Sequence, residues 1–375
     1  MGDKCVPKVR FREFSEEWER RRLKEIVDLC SGKDYKHLSE GNIPVYGTGG
    51  YMLSVDKALS YERDAIGIGR KGTIDKPFIL RAPFWTVDTL FYAVPSDYEN
   101  IDFLYDIFQK IDWRKRDEST GVPSLSKEAI NEIEVIIPLS REQKKIGSYF
   151  KQLDDLITLY QCKCEKLKLL KEAMLDKMFP KNGQKIPEIR FRGFSGEWEC
   201  RKLGEVVEFL DTRRKPLEGA KRVNGSYPYY GASGIVDYVE GYLFDEELIL
   251  LSEDGANITD RNYPICFLAS GKYWVNNHAH VLKTKQGNEN NFICNSLERK
   301  DYSQYNTGMA MPKLNQEVCR NIPISCPSYE EQKEIGDYFR SIDFLIILNQ
   351  HKYEKLELLK KAMLDKMFIL ERIEI

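Results

Sequence analysis

The longest regular pattern in the chain is helical, and it occurs twice. Residues 141–179 contain no proline and one glycine, Gly147. Leu153, Ile157, Tyr160, Cys164, Leu167, Leu170, Met174 and Met178 recur at spacings of three and four. That spacing lines up one stripe of a helix, as in a coiled-coil seam with a slip near Leu170. Ser140 with Gln143, after Pro138, predicts a capping box at its start. A second stripe runs through Ile342, Ile346, Asn349, Tyr353, Leu356, Leu359, Met363 and Met367. Its helix is expected to begin after Pro327, with Ser328 and Glu331. The predicted pairing seam is thus Leu153, Ile157, Tyr160, Leu167 and Met174 against Ile342, Ile346, Asn349, Leu356 and Met363. Asn349, the polar member, is expected to fix register at some cost in stability. Leu156, Leu169, Leu345, Leu358 and Leu364 lie beside the narrow line. They either pack on the chain's own domains or receive helices from a partner. A helix of about 39 residues is ~58 Å long. Two of them packed antiparallel would hold two modules at opposite ends.

Outside these stretches the pattern is strand and turn. Asp64–Gly69, the turn Arg70-Lys71-Gly72-Thr73 and Pro77–Leu80 read as a strand–loop–strand. Glu247–Leu251 and Tyr263–Phe267 do the same around Asp254-Gly255-Ala256-Asn257. Gly67, Gly69 and Gly72 match a G-x-G-x-x-G spacing. A β-branched segment ending in Pro77 follows where a dinucleotide site needs a helix, so the match reads as a turn.

The two halves are copies. Residues 6–29, VPKVRFREFSEEWERRRLKEIVDL, share 13 of 24 positions with 186–209, IPEIRFRGFSGEWECRKLGEVVEF. Residues 163–179, KCEKLKLLKEAMLDKMF, share 14 of 17 with 352–368, KYEKLELLKKAMLDKMF. Between them the agreement is poor, apart from islands such as residues 44–51 with 228–235. A repeat this long is not a solenoid unit. It predicts an α+β protein with a pseudo-twofold: two similar mixed α/β modules separated by two long antiparallel coiled-coil helices. The boundaries expected are 1–140 and 181–328 for the modules with their entry motifs, and 141–180 and 329–375 for the helices.

Composition narrows the classes. The chain has 375 residues, 57 basic and 59 acidic, 31% of them charged and 42% hydrophobic. That suits a globular chain with more than one core. No apolar run approaches the ~18 residues that span a bilayer, and the start lacks a signal-peptide core. Nine cysteines without framework spacing point to reduced thiols in the cytoplasm rather than disulfides or zinc. A net charge of −2 gives no hint of nucleic acid.

Loop residues with hydrogen-bonding reach are the candidates for DNA contact. Arg70 and Lys71 sit at a turn tip and could reach phosphate or guanine edges. Thr48 lies in Tyr46-Gly47-Thr48-Gly49-Gly50, and Ser233 in the corresponding segment. The runs Arg114-Lys115-Arg116 and Arg213-Arg214-Lys215 suit backbone positioning. For each, a solvated surface charge or turn residue is the competing reading. Trp274–His280 contains two histidines. No carboxylate or cysteine accompanies them at ligand spacing, which favours structural hydrogen bonding and no metal. There is no Walker A sequence, no H-E-x-x-H, no G-x-S-x-G and no Asn/Asp-Pro-Pro-aromatic tetrapeptide. No catalytic residue is assigned. A scaffold that uses only its helices and a self-sufficient nuclease remain open on these grounds.

Several motifs carry a resemblance. Pro187-Glu188-Ile189-Arg190-Phe191-Arg192-Gly193-Phe194 with Glu197-Trp198, and its copy from Pro7 to Trp18, resemble the entry motif of type I restriction–modification specificity (S) subunits. Ile137-Pro138-Leu139-Ser140-Arg141-Glu142-Gln143-Lys144-Lys145-Ile146 looks like the family's entry into its conserved helix. Glu331-Gln332-Lys333-Glu334-Ile335 repeats it. Pro228–Gly234 is similar to a stretch common in its target recognition domains. Glu13 in place of glycine, and Ser140-Arg141 where a second proline is frequent, are departures. The resemblance implies a non-catalytic subunit whose two target recognition domains each read half of a split DNA site. It implies helices that set the spacer and dock two modification (methyltransferase) subunits. Two restriction subunits would join them. S-adenosylmethionine, ATP and Mg²⁺ would belong to those partners, with no cofactor in this chain. The weak overall charge then implies that the lone chain binds duplex poorly.

Overall fold

The computed structural model describes residues 6–181, 183–219 and 222–369. They form two compact units: residues 1–161 with 351–375, and residues 162–350. The first long helix, Ser140–Lys177, and the second, Tyr329–Met367, are therefore each shared between the units. No helix among the described residues is long and apolar enough to cross a membrane.

In unit one, Val27–Ser31, Leu90–Pro95, Ala65–Gly69 and Phe78–Leu80 form an antiparallel sheet in that order. A second sheet joins Gly50–Val55 to Glu40–Gly47, and Glu40–Gly47 pairs in parallel with Trp85–Thr86. The predicted strand–loop–strand is present, with Ala65 opposite Leu80. The entry strand Glu19–Arg22 pairs with Glu134–Ile137 just before the long helix. Unit two repeats the plan. Val207–Phe209, Ala279–Thr284, Leu248–Ser252 and Cys266–Ala269 form one sheet. Gly234–Val239, Asn224–Gly231, Lys272–Val275 and Phe244–Asp245 form the other. Glu199–Lys202 pairs with Pro323–Cys326. The central strands are buried on both faces, which accounts for runs such as Leu248-Ile249-Leu250-Leu251.

Each unit combines a module, the first half of the long helix that follows it and the last half of the other. In unit one Lys360 Nζ donates to Asp154 Oδ1 at 2.6 Å. In unit two Lys171 Nζ donates to Asp343 Oδ1 at 2.6 Å. The Cys164 thiol faces Ile346 O in the same unit, so moving up one helix moves down the other and the segments are antiparallel. The seam residues Leu153 and Ile342 are buried. Ile157, Tyr160, Leu167, Met174, Ile346, Asn349, Leu356 and Met363 are half-buried. One expectation fails. Leu170 and Leu359 turn outward, 39% and 43% exposed, because the slip hands their place to Lys171 and Lys360 with their buried stems. Asn349 Nδ2 donates to Leu345 O, one turn back in its own helix.

Aromatics of the repeated frame close both cores. In unit two Phe179, just past the first long helix, stacks on Phe292 at 5.2 Å and meets Trp198 edge-on at 6.0 Å. In unit one Phe368 stacks on Phe103 at 5.3 Å and meets Trp18 edge-on at 6.5 Å. The entry motifs lock to the helix starts. Arg10 is bidentate to Glu142 at 2.7 and 2.6 Å, and Arg190 to Glu331 at 2.7 and 2.7 Å. Gln143 departs from the predicted capping box. Its amide donates to Pro138 O and its carbonyl accepts from Asn100 N. Gln332 does the same with Pro327 O and Glu289 N. Ser328 Oγ does accept from Glu331 N, at 3.4 Å, but the Glu331 carboxylate is turned to Arg190. Gly147 is required by close approach: a Cβ there would lie 2.3 Å from Asn100 Oδ1 and 2.7 Å from Phe103 N. Gly336 meets Glu289 in the same way, at 2.1 Å.

Truncating either inserted phenylalanine should therefore unfold one unit selectively. Phe368→Ala is expected to cost ~3–5 kcal/mol in unit one and Phe179→Ala as much in unit two. Denaturant titration with peptides from each unit followed separately by hydrogen exchange measures this, and equal loss in both units for either variant contradicts it.

Candidate nucleic-acid interface

The modules share a backbone and differ at one end. In module one the turn after Gly69 is held by Arg70 N donating to Thr89 O, Gly72 N to Pro123 O and Leu125 N to Arg70 O, at 2.8, 2.8 and 2.9 Å. In module two Glu253 N donates to His278 O, Gly255 N to Pro312 O and Leu314 N to Glu253 O, at 2.9, 3.0 and 2.7 Å. Bridges pair Lys71 with Ser124 and Asp254 with Lys313. Gly72 and Gly255 both have positive φ, +94° and +107°. The flanking loops are folded alike. Asp117 Oδ1 accepts from Ser119 N and Ser124 N, and Asn306 Oδ1 from Gly308 N and Lys313 N. Each module thus presents a turn and a loop zipped together, a shape set by backbone and largely indifferent to the exposed side chains.

In module one this end carries a cleft of about 600 Å³ lined by Arg70, Lys71, Asp88, Glu118, Ser124 and Lys127 among others. Arg70 lies 5.7 Å above the Phe91 ring, and neither Arg70 nor Lys71 makes an ion pair among the described residues. The other expected contacts are distributed. Thr48 is half-buried in a two-residue hairpin loop closed by Gly47 and Gly50. The matching loop is closed by Gly231 and Gly234, so register aligns Thr48 with Ala232 and Ser233 with Gly49. Ser233 is therefore not the positional equivalent of Thr48. Arg114, Lys115 and Arg116 form a short 3₁₀ turn with Trp113, where Arg114 pairs with Asp75 at 2.6 Å and Lys115 with Asp112 at 3.8 Å. Arg213 covers the Phe244 ring at 4.7 Å and pairs with Glu246 at 3.6 Å. Lys215 is exposed and accepts Trp274 Nε1–H on its carbonyl at 2.7 Å.

Arg214 is placed differently from the expectation. Its side chain is 12% exposed and donates to Glu253 Oε2 at 2.6 Å and Ala279 O at 2.7 Å. It belongs to an internal network that sequence spacing could not show. The carboxylates that Trp274–His280 lacks nearby arrive from turns distant in sequence. Asp211 faces His280 Nδ1 at 2.7 Å, and Asp254 faces His278 Nδ1 at 2.9 Å. Asp211, Glu253 and His280 converge as three groups of metal-ligand type. Their lone pairs are committed to protons. His280 Nε2 donates to Leu314 O at 2.8 Å, Asp211 also accepts from Val281 N and Gln316, and Lys313 lies 3.4 Å from Glu253. Arg214, protonated His280 and Lys313 surround Asp211 and Glu253.

Burial alone would favour a neutral His280 ring. The Asp211 hydrogen bond outweighs it and pushes the imidazole up to about 10. Burial likewise opposes ionisation of Asp211, yet His280 holds its carboxyl below the usual range. His280 therefore stabilises module two fully below its unfolded value near 6.5, and this is lost as pH rises towards about 10. Asp211 contributes above its ordinary value near 3.8, and its contribution is lost on acidification. Unit two should lose stability between pH 7 and 10 more steeply than a His280→Gln variant, which itself should be weaker by ~3–5 kcal/mol at neutral pH. Urea titrations at several pH values check this, and parallel pH profiles would contradict it.

The comparisons agree with this plan. The family model described as "Type I restriction modification DNA specificity domain" matches twice, over residues 15–169 and 195–358. The chain belongs to this family. The Haemophilus influenzae protein S.HindORF215P is 37% identical over 155 residues, which is 41% of this chain and 39% of that protein. The MjaVIII specificity subunit of Methanocaldococcus jannaschii is 25% identical over 290 residues, 67% of this chain and 65% of its own length. Both alignments cover less than two thirds of the relative. A solved type I restriction–modification S subunit from M. genitalium shares the fold, with a TM-score of 0.77 and 16% identity over 98% of this chain and all of that one.

Proposed function

We propose that this chain is the DNA sequence-specificity subunit of a type I restriction–modification complex and is not catalytic by itself. Each module reads one half of a bipartite, asymmetric site on double-stranded DNA. The helical frame sets the spacing between the halves. The observation that supports this most directly is the pair of modules with matching backbone hydrogen bonds and unlike exposed tips. One scaffold carrying two chemistries suits two different half-sites. A single repeated sequence would call for two like tips.

The frame also offers sites for partners. Leu169 and Leu358, 189 positions apart, are 65% and 69% exposed. Leu156 and Leu345 repeat the relation at 40% and 42%. Apolar side chains left in solvent at repeat-related positions suit a pair of like partners. We assign them to two modification (methyltransferase) subunits, which hold S-adenosylmethionine. Two restriction subunits supply ATP- and Mg²⁺-dependent chemistry. The cytoplasm is the compartment this reading requires.

Reconstitution with the modification partner and methylation of a randomised duplex library tests the reading. Exchanging residues 30–123 for another module should change one half-site and leave the other half and the spacer intact; a change in both halves refutes modular reading. Leu169→Glu or Leu358→Glu should each reduce the partner count from two to one by native mass spectrometry. Retention of two partners in both variants counts against the helical docking sites.

A further inference from the structure

The equivalent turns carry opposite hydrogen-bonding chemistry. Backbone bonds superpose Arg70 on Glu253 and Lys71 on Asp254. Strand register extends the match, setting Phe91 opposite Ile68 where His280 stands opposite Leu251. Module one therefore puts two donor-only cations at its tip, over an apolar ring and with no carboxylate paired to either. Module two puts two acceptor-only carboxylates there. Glu253 is spent inside the protein, on Arg214 and Lys313. Asp254 is half-buried, its side chain 21% exposed, with both carboxylate oxygens 2.9 Å from Nδ1 of the exposed His278. The loop zipped to it differs in the same sense. Where module one has Thr120 and Val122, module two has Met309 and Met311, 104% and 62% exposed.

A protein that only tracks phosphates would keep cations at both tips. Asp254 would be repelled by a phosphate. It suits an exocyclic amino group, which needs an acceptor. Guanine presents O6 and N7 acceptors in the major groove, and suits Arg70 and Lys71. Thioether side chains in open solvent suit the thymine methyl, which shares the major groove with the adenine amino group, on the far side of thymine O4.

Resting on the specificity-subunit reading above, we infer that this turn is a base-reading element in both modules and that the two copies select opposite base edges. Arg70 and Lys71 select guanine in one half-site. Asp254 selects the amino edge of adenine or cytosine in the other, with Met309 and Met311 against a neighbouring thymine methyl.

The test uses the full chain in its complex with modification subunits, on duplex libraries randomised through both half-sites, with methylated positions read by sequencing. Arg70→Ala and Lys71→Ala should each relax selection at a guanine of one half by roughly 5- to 150-fold and leave the other half unchanged. Asp254→Asn should alter one position of the other half alone, and the base lost there tells adenine from cytosine. Lys71→Asp should move selection at its position from guanine to an amino-bearing base. Unchanged selection in both halves at full methylation would overturn the proposal, as would a uniform fall in methylation without loss of sequence preference, the mark of phosphate contact. A wild-type complex that methylates without any sequence preference would overturn the specificity reading itself, which the variant results alone cannot do.

Discussion

Neither unit can close its core from its own module. Phe179 and Phe368 come from helix ends, and each fills an aromatic cluster built by a module's entry motif and its short helix. The modules are small and the central strands are buried on both faces, so burying one more large aromatic against three others decides whether the sheet has a floor. The rest of the frame serves this insertion. Arg10–Glu142 and Arg190–Glu331 pin the entry segment to the long helix. Gly147 and Gly336 let the module helix approach that same helix closely enough for its capped end to be gripped by Gln143 and Gln332.

With the frame fixed in this way, the module ends are free to differ. The turn-and-loop tips are held by backbone bonds and positive-φ glycines, neither of which depends on what the exposed side chains are. Module two shows how far this tolerance extends. It replaces Phe91 with a buried imidazolium and compensates with Asp211, Glu253 and Arg214. A charge network inside one copy and an aromatic ring inside the other support the same strand register. Selection on the tip can therefore proceed without disturbing the frame.

What the sequence disclosed was whatever repeats or is periodic. The duplicated order, both long helices and the strand–turn–strand segments follow from spacing and identity alone. Contacts between residues far apart in sequence were hidden. The Arg and Glu of the two motifs are 132 positions apart in one copy and 141 in the other, and nothing local pairs them. Capping is a local rule and predicts a local role for Gln143, whereas its carbonyl accepts from Asn100 N. Arg214 reads as a surface cation within a basic run, but Glu253 and Ala279, distant in sequence, bury it together with nearby Asp211. Thr48 corresponds to Ala232 rather than to Ser233, a match that the alignment of 44–51 with 228–235 already contains and hairpin register repeats.

The closing contacts are alike in space and unlike along the chain. Ile189 N donates to Lys177 O at 2.9 Å, and Val9 N donates to Lys366 O at 3.0 Å. The first spans a short connected stretch; the second joins segments that almost the whole chain separates. For a flexible chain that difference in loop length costs about 3 kcal/mol more in closure entropy. On the ribosome the asymmetry becomes one of time. Phe179 has already been made when Trp198 and Phe292 emerge, whereas Trp18 and Phe103 wait for Phe368, which is made only after the whole of the second module. The first module to be synthesised is the last to be finished. Until then its aromatic cluster stands open, which makes the nascent first half the segment that most needs shielding from other chains.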